Sequence, residues 1–447
     1  MARLTRRQLL GASGLVGLTG SLSAIGAGAS RSSASQHESD LRDAGWRPAT
    51  GSPLDASVTT TQVMSDLEIP WDLEFADDDA FLTERAGRVH RIDTDALTSG
   101  DDVHSGSIDV LFDGDLPDLE VVGDGGVLGV TAHPSYPNPR SIFVYYTADD
   151  GDLHNRVVRY DLDTAQLTTL VDDIPSAEIH QGGRLEVGPD GYLWVTIGDA
   201  VDDYAADHVA ITQDPGSRLG VVFRLTLDGE PAPDNPEIGP DADPRAYAYG
   251  FRNPQGLAFT PDDEAVLVEH GPVARDEVFV LCPGANYGWG IARGGPDDPD
   301  WDSYTAYDEF APPVVHTGHE ESDETWDPID TWAPSGATFY TDDAIPEYHN
   351  RVLVAGLRGQ AVFAISLYPS GVDRPSYPDG VRYDDDWLDG RYDVTVHRLF
   401  EQEYGRLRHV EQGPDGSVFV LTSNRQDWTP PGYPADDDDR IVRLDPV

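Results

Sequence analysis

Residues 180–199 read His180-Gln-Gly-Gly-Arg-Leu-Glu-Val-Gly-Pro-Asp-Gly-Tyr-Leu-Trp-Val-Thr-Ile-Gly-Asp199. A glycine pair opens a short strand, Pro-Asp-Gly makes a tight turn, and an apolar strand runs back to a second turn that ends in aspartate. Two strands across such a turn form a hairpin. Its ends return to the same place, so His180 and Asp199 meet at one rim of a sheet. A histidine held by a carboxylate has its tautomer and orientation fixed and can act as a general base.

The turn-then-strand phrase recurs. It appears at Asp77-Asp-Asp-Ala-Phe-Leu-Thr-Glu84, Asn138-Pro-Arg-Ser-Ile-Phe-Val-Tyr-Tyr146 and Pro189-Asp-Gly-Tyr-Leu-Trp-Val-Thr196. It returns at Pro261-Asp-Asp-Glu-Ala-Val-Leu-Val268, Asn350-Arg-Val-Leu-Val-Ala355 and Pro414-Asp-Gly-Ser-Val-Phe-Val-Leu421. The six starts lie roughly 50 to 90 residues apart, the span of a four-stranded blade with variable loops. A further strand with an Arg-Leu or Arg-Ile ending usually follows, as at Val89-His-Arg-Ile92, Val157-Val-Arg159, Val222-Phe-Arg-Leu225 and Ile441-Val-Arg-Leu444. No convincing helical periodicity is present beyond the N-terminus. The pattern predicts an all-β fold: a six-bladed β-propeller of four-stranded antiparallel blades over residues 61–447, with the final strands closing the ring. In such a ring the loops of one rim surround a central depression, where binding and catalytic groups gather.

The chain carries 81 acidic residues against 30 basic ones, a formal net charge of −51, and every basic residue is arginine. That balance excludes a nucleic-acid partner, which requires a basic face. Nine Trp and nineteen Tyr argue for a folded protein rather than a disordered acidic one. Acid-rich, lysine-free composition suits near-saturated salt, where the Debye length falls to about 3 Å and self-repulsion is screened; a halophilic source is expected. Cys282 is the one cysteine. It allows no disulfide within the chain and no cysteine-rich zinc site, and it reads as a packing residue. The paired arginines of Met1-Ala-Arg-Leu-Thr-Arg6-Arg7 precede an uncharged Gly/Ser/Ala/Leu segment to Ser30. Residues 1–30 read as a twin-arginine export signal and 31–60 as a flexible Ser/Asp-rich tether. This places the protein outside the cell or at its surface, with the twin-arginine machinery as a partner.

Taken singly, the polar motifs have plain structural readings. His180 serves as a turn histidine, Asp199 as a turn cap, Arg252-Asn253 as a loop staple and Glu277 as a solvated acid. Their order carries more. The chain contains Pro70-Trp71-Asp-Leu, Thr83-Glu84-Arg85-Ala-Gly87-Arg88, Gly126-Val-Leu-Gly-Val-Thr-Ala-His133-Pro, His180-Gln-Gly-Gly and Ile197-Gly-Asp199. It continues with Gly250-Phe-Arg252-Asn253-Pro-Gln255-Gly256, Glu269-His270-Gly271-Pro272, Asp276-Glu277, Gly284-Ala-Asn-Tyr287-Gly-Trp289, Trp332-Ala-Pro-Ser-Gly336 and Arg406-Leu-Arg408. This series resembles the soluble quinoprotein sugar dehydrogenases, most of all their aldose branch, from about Pro70 to the end of the chain.

The resemblance implies pyrroloquinoline quinone (PQQ) and Ca²⁺ as cofactors. It assigns Arg252, Asn253, Gln255, Thr331, Arg358, Arg406 and Arg408 to contacts with the cofactor, which carries three carboxylates. It assigns the main-chain carbonyls of Gly271 and Pro272 to the calcium at the quinone, and Glu277 with the Tyr287 carbonyl, joined by Asp297 or Asp298, to a second calcium. His180 would take the proton of an aldose's anomeric hydroxyl while hydride leaves for the quinone. Asp199 would orient His180, and Arg252 would stabilise the developing oxyanion. The product would be a lactone, and electrons would pass to an external quinone or redox protein. Two positions depart from the family. Asp124 stands where glutamine is frequent, and a carboxylate there should repel the cofactor unless protonated or turned away. His270 also stands where glutamine is common. Two other readings compete: a calcium-dependent propeller lactonase or other hydrolase, and a propeller that has lost PQQ binding. Only the quinoprotein reading needs several arginines converging on one pocket.

Overall fold

The computed structural model describes residues 45–447, apart from 101, 104, 202–208, 273, 297, 299–300, 319–330 and 427–428. The export signal and the first part of the tether lie outside the described residues.

The sheets form six antiparallel blades in a ring. The first contains Pro70–Ala76, Asp79–Glu84, Arg88–Asp93 and Ile108–Asp113. The second contains Val127–Ala132, Ser141–Asp149, Leu153–Asp161 and Gln166–Pro175. Gly182–Val187, Leu193–Ile197, Val221–Leu225 and Ala246–Tyr249 make the third, and Pro254–Phe259, Ala265–Glu269, Glu277–Val280 and Val315–His316 the fourth. The fifth carries Pro334–Tyr340, Arg351–Gly356, Val362–Pro369 and Tyr392–Leu399, with Val381–Tyr383 as an additional outer strand. The sixth joins Leu407–Gln412, Val418–Thr422 and Ile441–Pro446 to Val58–Met64 from the other end of the chain. The recurring turn phrase marks the second strand of every blade. In the third blade Gly191 N–H donates to the Gly188 carbonyl at 2.8 Å and Asp190 accepts the Tyr192 N–H at 3.1 Å. The sixth repeats this turn, with Gly416 N–H on the Gly413 carbonyl at 3.0 Å and Asp415 accepting the Ser417 N–H at 3.1 Å.

Each blade's first strand lines the axis, and consecutive first strands are neighbours around the whole ring. The ring closes through Val58–Met64 against Ile441–Pro446, with Val58 opposite Pro446. Residues 45–60, assigned to the tether by the sequence reading, depart from that expectation. Trp46 packs edge-on against Phe339 at 5.3 Å and its indole N–H donates to Asp262 at 2.7 Å. The buried Arg351 guanidinium donates to the carbonyls of Ala49 and Gly51 at 2.8 and 2.7 Å. An early aromatic anchor and a buried cation hold this segment to the fifth blade; Ser and Asp content alone did not reveal either.

Apolar faces pack between blades, as where Phe75 of the first blade meets Phe419 of the sixth with ring centres 5.0 Å apart. The axis itself is polar. Arg184 of the third blade is fully buried, its guanidinium 4.3 Å from the centre of the Trp71 ring. It pairs with Asp72 of the first blade and donates from Nε to the Gln255 carbonyl at 3.1 Å. A desolvated cation–π contact is worth about 2 kcal/mol, and the ion pair ties three blades at the floor of the upper depression.

Candidate active site

The third blade delivers a base and its holder. Gly182 lies opposite Ile197, so His180, two residues before one strand, faces Asp199, two residues after the other. His180 Nδ1 lies 2.7 Å from Asp199 Oδ1. Asp199 Oδ2 accepts the Trp289 indole N–H at 2.8 Å, and the Asp199 amide donates to the Arg252 carbonyl at 2.7 Å. Both carboxylate oxygens are committed, which fixes the carboxylate plane and through it the imidazole. With Nδ1 on the carboxylate, Nε2 is the nitrogen that can take a proton. His180 has φ 64°, a left-handed conformation that costs an L-residue roughly 1–2 kcal/mol. It is held by the bridge between Ile179 and Val201 and by the Ala200 amide on the His180 carbonyl at 3.3 Å. A Cβ on Gly198 would lie 1.9 Å from that carbonyl oxygen, so only glycine lets the two rim segments close. Burial first, then the nearby Arg252 charge, pulls His180 below its usual pKa, against the opposing pull of Asp199. The imidazole is therefore neutral near pH 7, as a base must be.

The fourth blade supplies the next group. Arg252 N–H donates to Glu269 Oε2 at 2.8 Å, and its guanidinium donates to the His270 carbonyl at 2.9 Å. That guanidinium sits 5.5 Å from the Trp289 ring centre. Asn253 Oδ1 accepts the Gly182 N–H at 3.1 Å, locking the histidine hairpin to the fourth blade. Gln255 Oε1 accepts from the Arg408 guanidinium at 2.8 Å and from Ser335 at 3.2 Å.

Arg406 and Arg408 flank the start of the sixth blade's inner strand and are both buried. Burial, and for Arg408 the charge of Arg406, lowers the pKa of Arg406 to about 10 and of Arg408 to about 9. Arg358 adds to the repulsion on Arg406. Arg408 Nε and His270 Nε2 are buried without a hydrogen-bond partner. Burial and the charges of Arg252, Arg408 and Arg406 hold His270 far below its ordinary value, hence neutral. Cations forced together out of water favour an anionic occupant. Asp124 stands at the same rim, 3.9 Å from Arg85, and accepts from Gln426 at 3.3 Å. Its charge eases the crowding on Arg406, so this carboxylate stands among arginines, beside Arg85 as well as near Arg406.

Thr331 and Gly271 are placed by Asp276. Asp276 accepts from the Thr331 hydroxyl at 2.7 Å, the Trp332 amide at 2.6 Å, the Ala333 amide at 3.0 Å and the Gly271 amide at 2.9 Å. The Thr331 proton is therefore committed, and a ligand would meet only its oxygen lone pairs. Gly271 and Pro272 lie on the tight loop after His270, where a Cβ on Gly271 would meet the Arg275 carbonyl oxygen at 2.0 Å. Main-chain oxygens there suit a hard cation such as Ca²⁺. Glu277 Oε1 accepts the Tyr304 hydroxyl at 2.8 Å, and the same hydroxyl lies 3.1 Å from the Tyr287 carbonyl. Asp298 is ion-paired with Arg275 at 2.5 Å; Asp297 lies outside the described residues.

The structure thus brings His180, Asp199, Arg252, Asn253, Gln255, Arg358, Arg406 and Arg408 to one end of the axis. Sequence reasoning quoted Trp289, Glu269, Arg85 and Asp276 inside motifs without giving them roles, and passed over Gln426. For Trp289 the available signal was an aromatic with a polar edge at a rim turn, Asn-Tyr-Gly-Trp; for Gln426 there was none.

Comparison with known proteins gives a consistent pattern. The model of the glucose/sorbosone dehydrogenase family matches residues 67–428. Quinoprotein glucose dehydrogenase B of Acinetobacter calcoaceticus is 29% identical over 434 residues, covering 80% of this chain and 84% of that protein. The aldose sugar dehydrogenase YliI of Escherichia coli K12 is 29% identical over 384 residues, covering 82% of this chain and 90% of that one. The PQQ-bound aldose sugar dehydrogenase structure from Streptomyces coelicolor superposes with TM-score 0.63 at 28% identity, over 90% of this chain and 99% of that one.

Proposed function

The chain belongs to the glucose/sorbosone dehydrogenase family, and from that premise we propose that it is a PQQ- and calcium-dependent aldose dehydrogenase. The observation that carries the reading is the buried arginine floor: Arg406 and Arg408 repel one another out of water, with Arg252 and Arg358 close by. A planar ligand with several carboxylates answers that arrangement. When bound, PQQ with a Ca²⁺ held through Gly271 and Pro272 would supply a hydride acceptor. The protein's own groups do the rest. His180 Nε2 takes the proton of the anomeric hydroxyl. Asp199 fixes the ring and stabilises its cationic form, and Trp289 fixes Asp199. Arg252 presents positive charge where an oxyanion develops. The sugar leaves as a lactone, and its electrons go to an external quinone or redox protein.

A calcium-dependent hydrolase is less favoured. Among the described residues no group of three or more His, Cys, Asp or Glu side chains is arranged to hold a metal ion. The arginine floor would also have no task in such an enzyme. The deciding experiment adds PQQ and Ca²⁺ to purified protein in high salt. Saturable change in quinone absorbance, and dye reduction with aldoses, are expected. No binding of PQQ by a folded protein would overturn the proposal.

The proposal extends to setting. Acidic, lysine-free composition supports work in strong brine, and Arg6-Arg7 before an uncharged segment supports twin-arginine export to the surface or beyond. Replacing Arg6 and Arg7 with Gln should retain the protein inside the cell; unchanged fractionation would remove the export claim.

A further inference from the structure

We propose that the Tyr304 hydroxyl stands in for a cation, so that the fourth blade is tied behind the active site without a second calcium. The inference rests on the family reading of Glu277 and the Tyr287 carbonyl as partners of one ion. The two groups do converge, but on a side chain. Tyr304 OH donates to Glu277 Oε1 at 2.8 Å and lies 3.1 Å from the Tyr287 carbonyl oxygen. Oxygen-to-calcium distances run about 2.3–2.6 Å. An ion drawing in both oxygens would need the place that the hydroxyl holds.

Tyr304 is not there by accident of a flexible side chain. It is buried, at 3% exposure. Its ring stacks on Trp387 at 6.2 Å and 17° and packs with Ala292 and Phe310. It opens a short turn whose N-cap, Ser303, accepts the Thr305 amide at 3.2 Å. The preceding Asp302–Ser303 is itself paired in parallel with Ala292–Gly294. The turn Tyr304–Ala306 thus delivers a phenol between the Glu277 carboxyl and the Tyr287 carbonyl. Of the neighbouring acids, Asp298 is ion-paired with Arg275 at 2.5 Å, Asp276 accepts from Thr331, Trp332, Ala333 and Gly271, and Glu269 hydrogen-bonds the Glu277 side chain itself. A hydroxyl donor can meet one carboxylate and one carbonyl, as a cation would, but adds no charge.

The link also runs inward. Glu277 lies opposite Glu269 on the neighbouring strand, and Glu269 accepts the Arg252 amide at 2.8 Å.

The test uses the chelator-treated protein without quinone, so that failure of PQQ binding cannot mimic failure here. Its thermal midpoint is read in strong salt with and without millimolar Ca²⁺, with Mg²⁺ as control. Any calcium-specific shift from the Gly271 and Pro272 carbonyls should be the same in wild type and Glu277→Gln, because the second site takes no ion in either. Tyr304→Phe keeps the ring packing and removes only the hydroxyl; it should lose several degrees without calcium and recover them with calcium, beyond the wild-type shift. A wild-type midpoint that rises with Ca²⁺, and no longer does so in Glu277→Gln, would overturn the proposal. So would a Tyr304→Phe protein with the same calcium response as wild type. Should Tyr304→Phe fail to fold, the wild-type and Glu277→Gln pair decides alone.

Discussion

At the scale of single residues, the site turns on a histidine kept neutral by its surroundings. Burial and Arg252 lower the His180 pKa, and Asp199 raises it. The working form is the free base, so kcat/KM should fall as pH drops through a midpoint below 6.5, the ordinary value. Replacing Arg252 by Gln should move that midpoint up, and Asp199→Asn should move it down, because the first removes a repelling charge and the second an attracting one. Equal midpoints in all three proteins would assign the titration elsewhere. His180→Gln should lower kcat by about 10²- to 10⁴-fold while PQQ still binds, as followed by quinone absorbance. The sequence revealed the His180–Asp199 pair because one hairpin joins them. It did not reveal Trp289 as the partner of Asp199 Oδ2, since ninety residues separate them and only the ring brings the third and fourth blades together.

At the scale of elements, the rim segments are as demanding as the side chains they carry. Gly198→Ala should collapse activity with little loss of ring stability. The new Cβ would displace His180 through its carbonyl oxygen at 1.9 Å and press far less on the Gly182 amide at 3.0 Å; circular dichroism beside turnover separates the two effects. Arg406→Ala and Arg408→Ala should each weaken PQQ about ten- to hundred-fold, the value of a charge-assisted hydrogen bond of about 1.5–3 kcal/mol. The loss should persist in molar salt, because both groups are buried and little screened. Titration at two salt concentrations measures it, and a loss confined to low salt would return these arginines to the surface. Second strands were easy to read in all six blades, because a Pro/Asn/Asp/Gly turn must precede each. The outer strands were harder. Val381–Tyr383 is largely exposed and only three residues long, and Val315–His316 follows Val280 only after a long excursion.

For the molecule as a whole, charge and closure set the conditions. With 81 acids and 30 arginines, single guanidiniums serve several carboxylates: Arg156 faces Asp118 and Asp172, and Arg245 faces Asp173 and Asp243. A net charge of −51 remains, so the folded state repels itself in dilute solution. The thermal midpoint should climb steeply with NaCl; a flat response would remove the halophilic claim. Composition alone made that charge legible. The ring's closing partner was not, because strand pairing between residues 58–64 and 441–446 leaves no mark in either segment. That pairing has a consequence for how the chain may be cut. Val447 N–H bonds the Ser57 carbonyl at 3.1 Å, so the strands that open and close the ring already touch, and the order in which blades are threaded is a convention of synthesis. Joining Val447 to Ser57 by a short linker, with loss of the Trp46 anchor, and opening the chain between the first and second blades should give a circular permutant that folds to the same ring and keeps its turnover. The same opening at the turn before His180 should give an intact ring with no base.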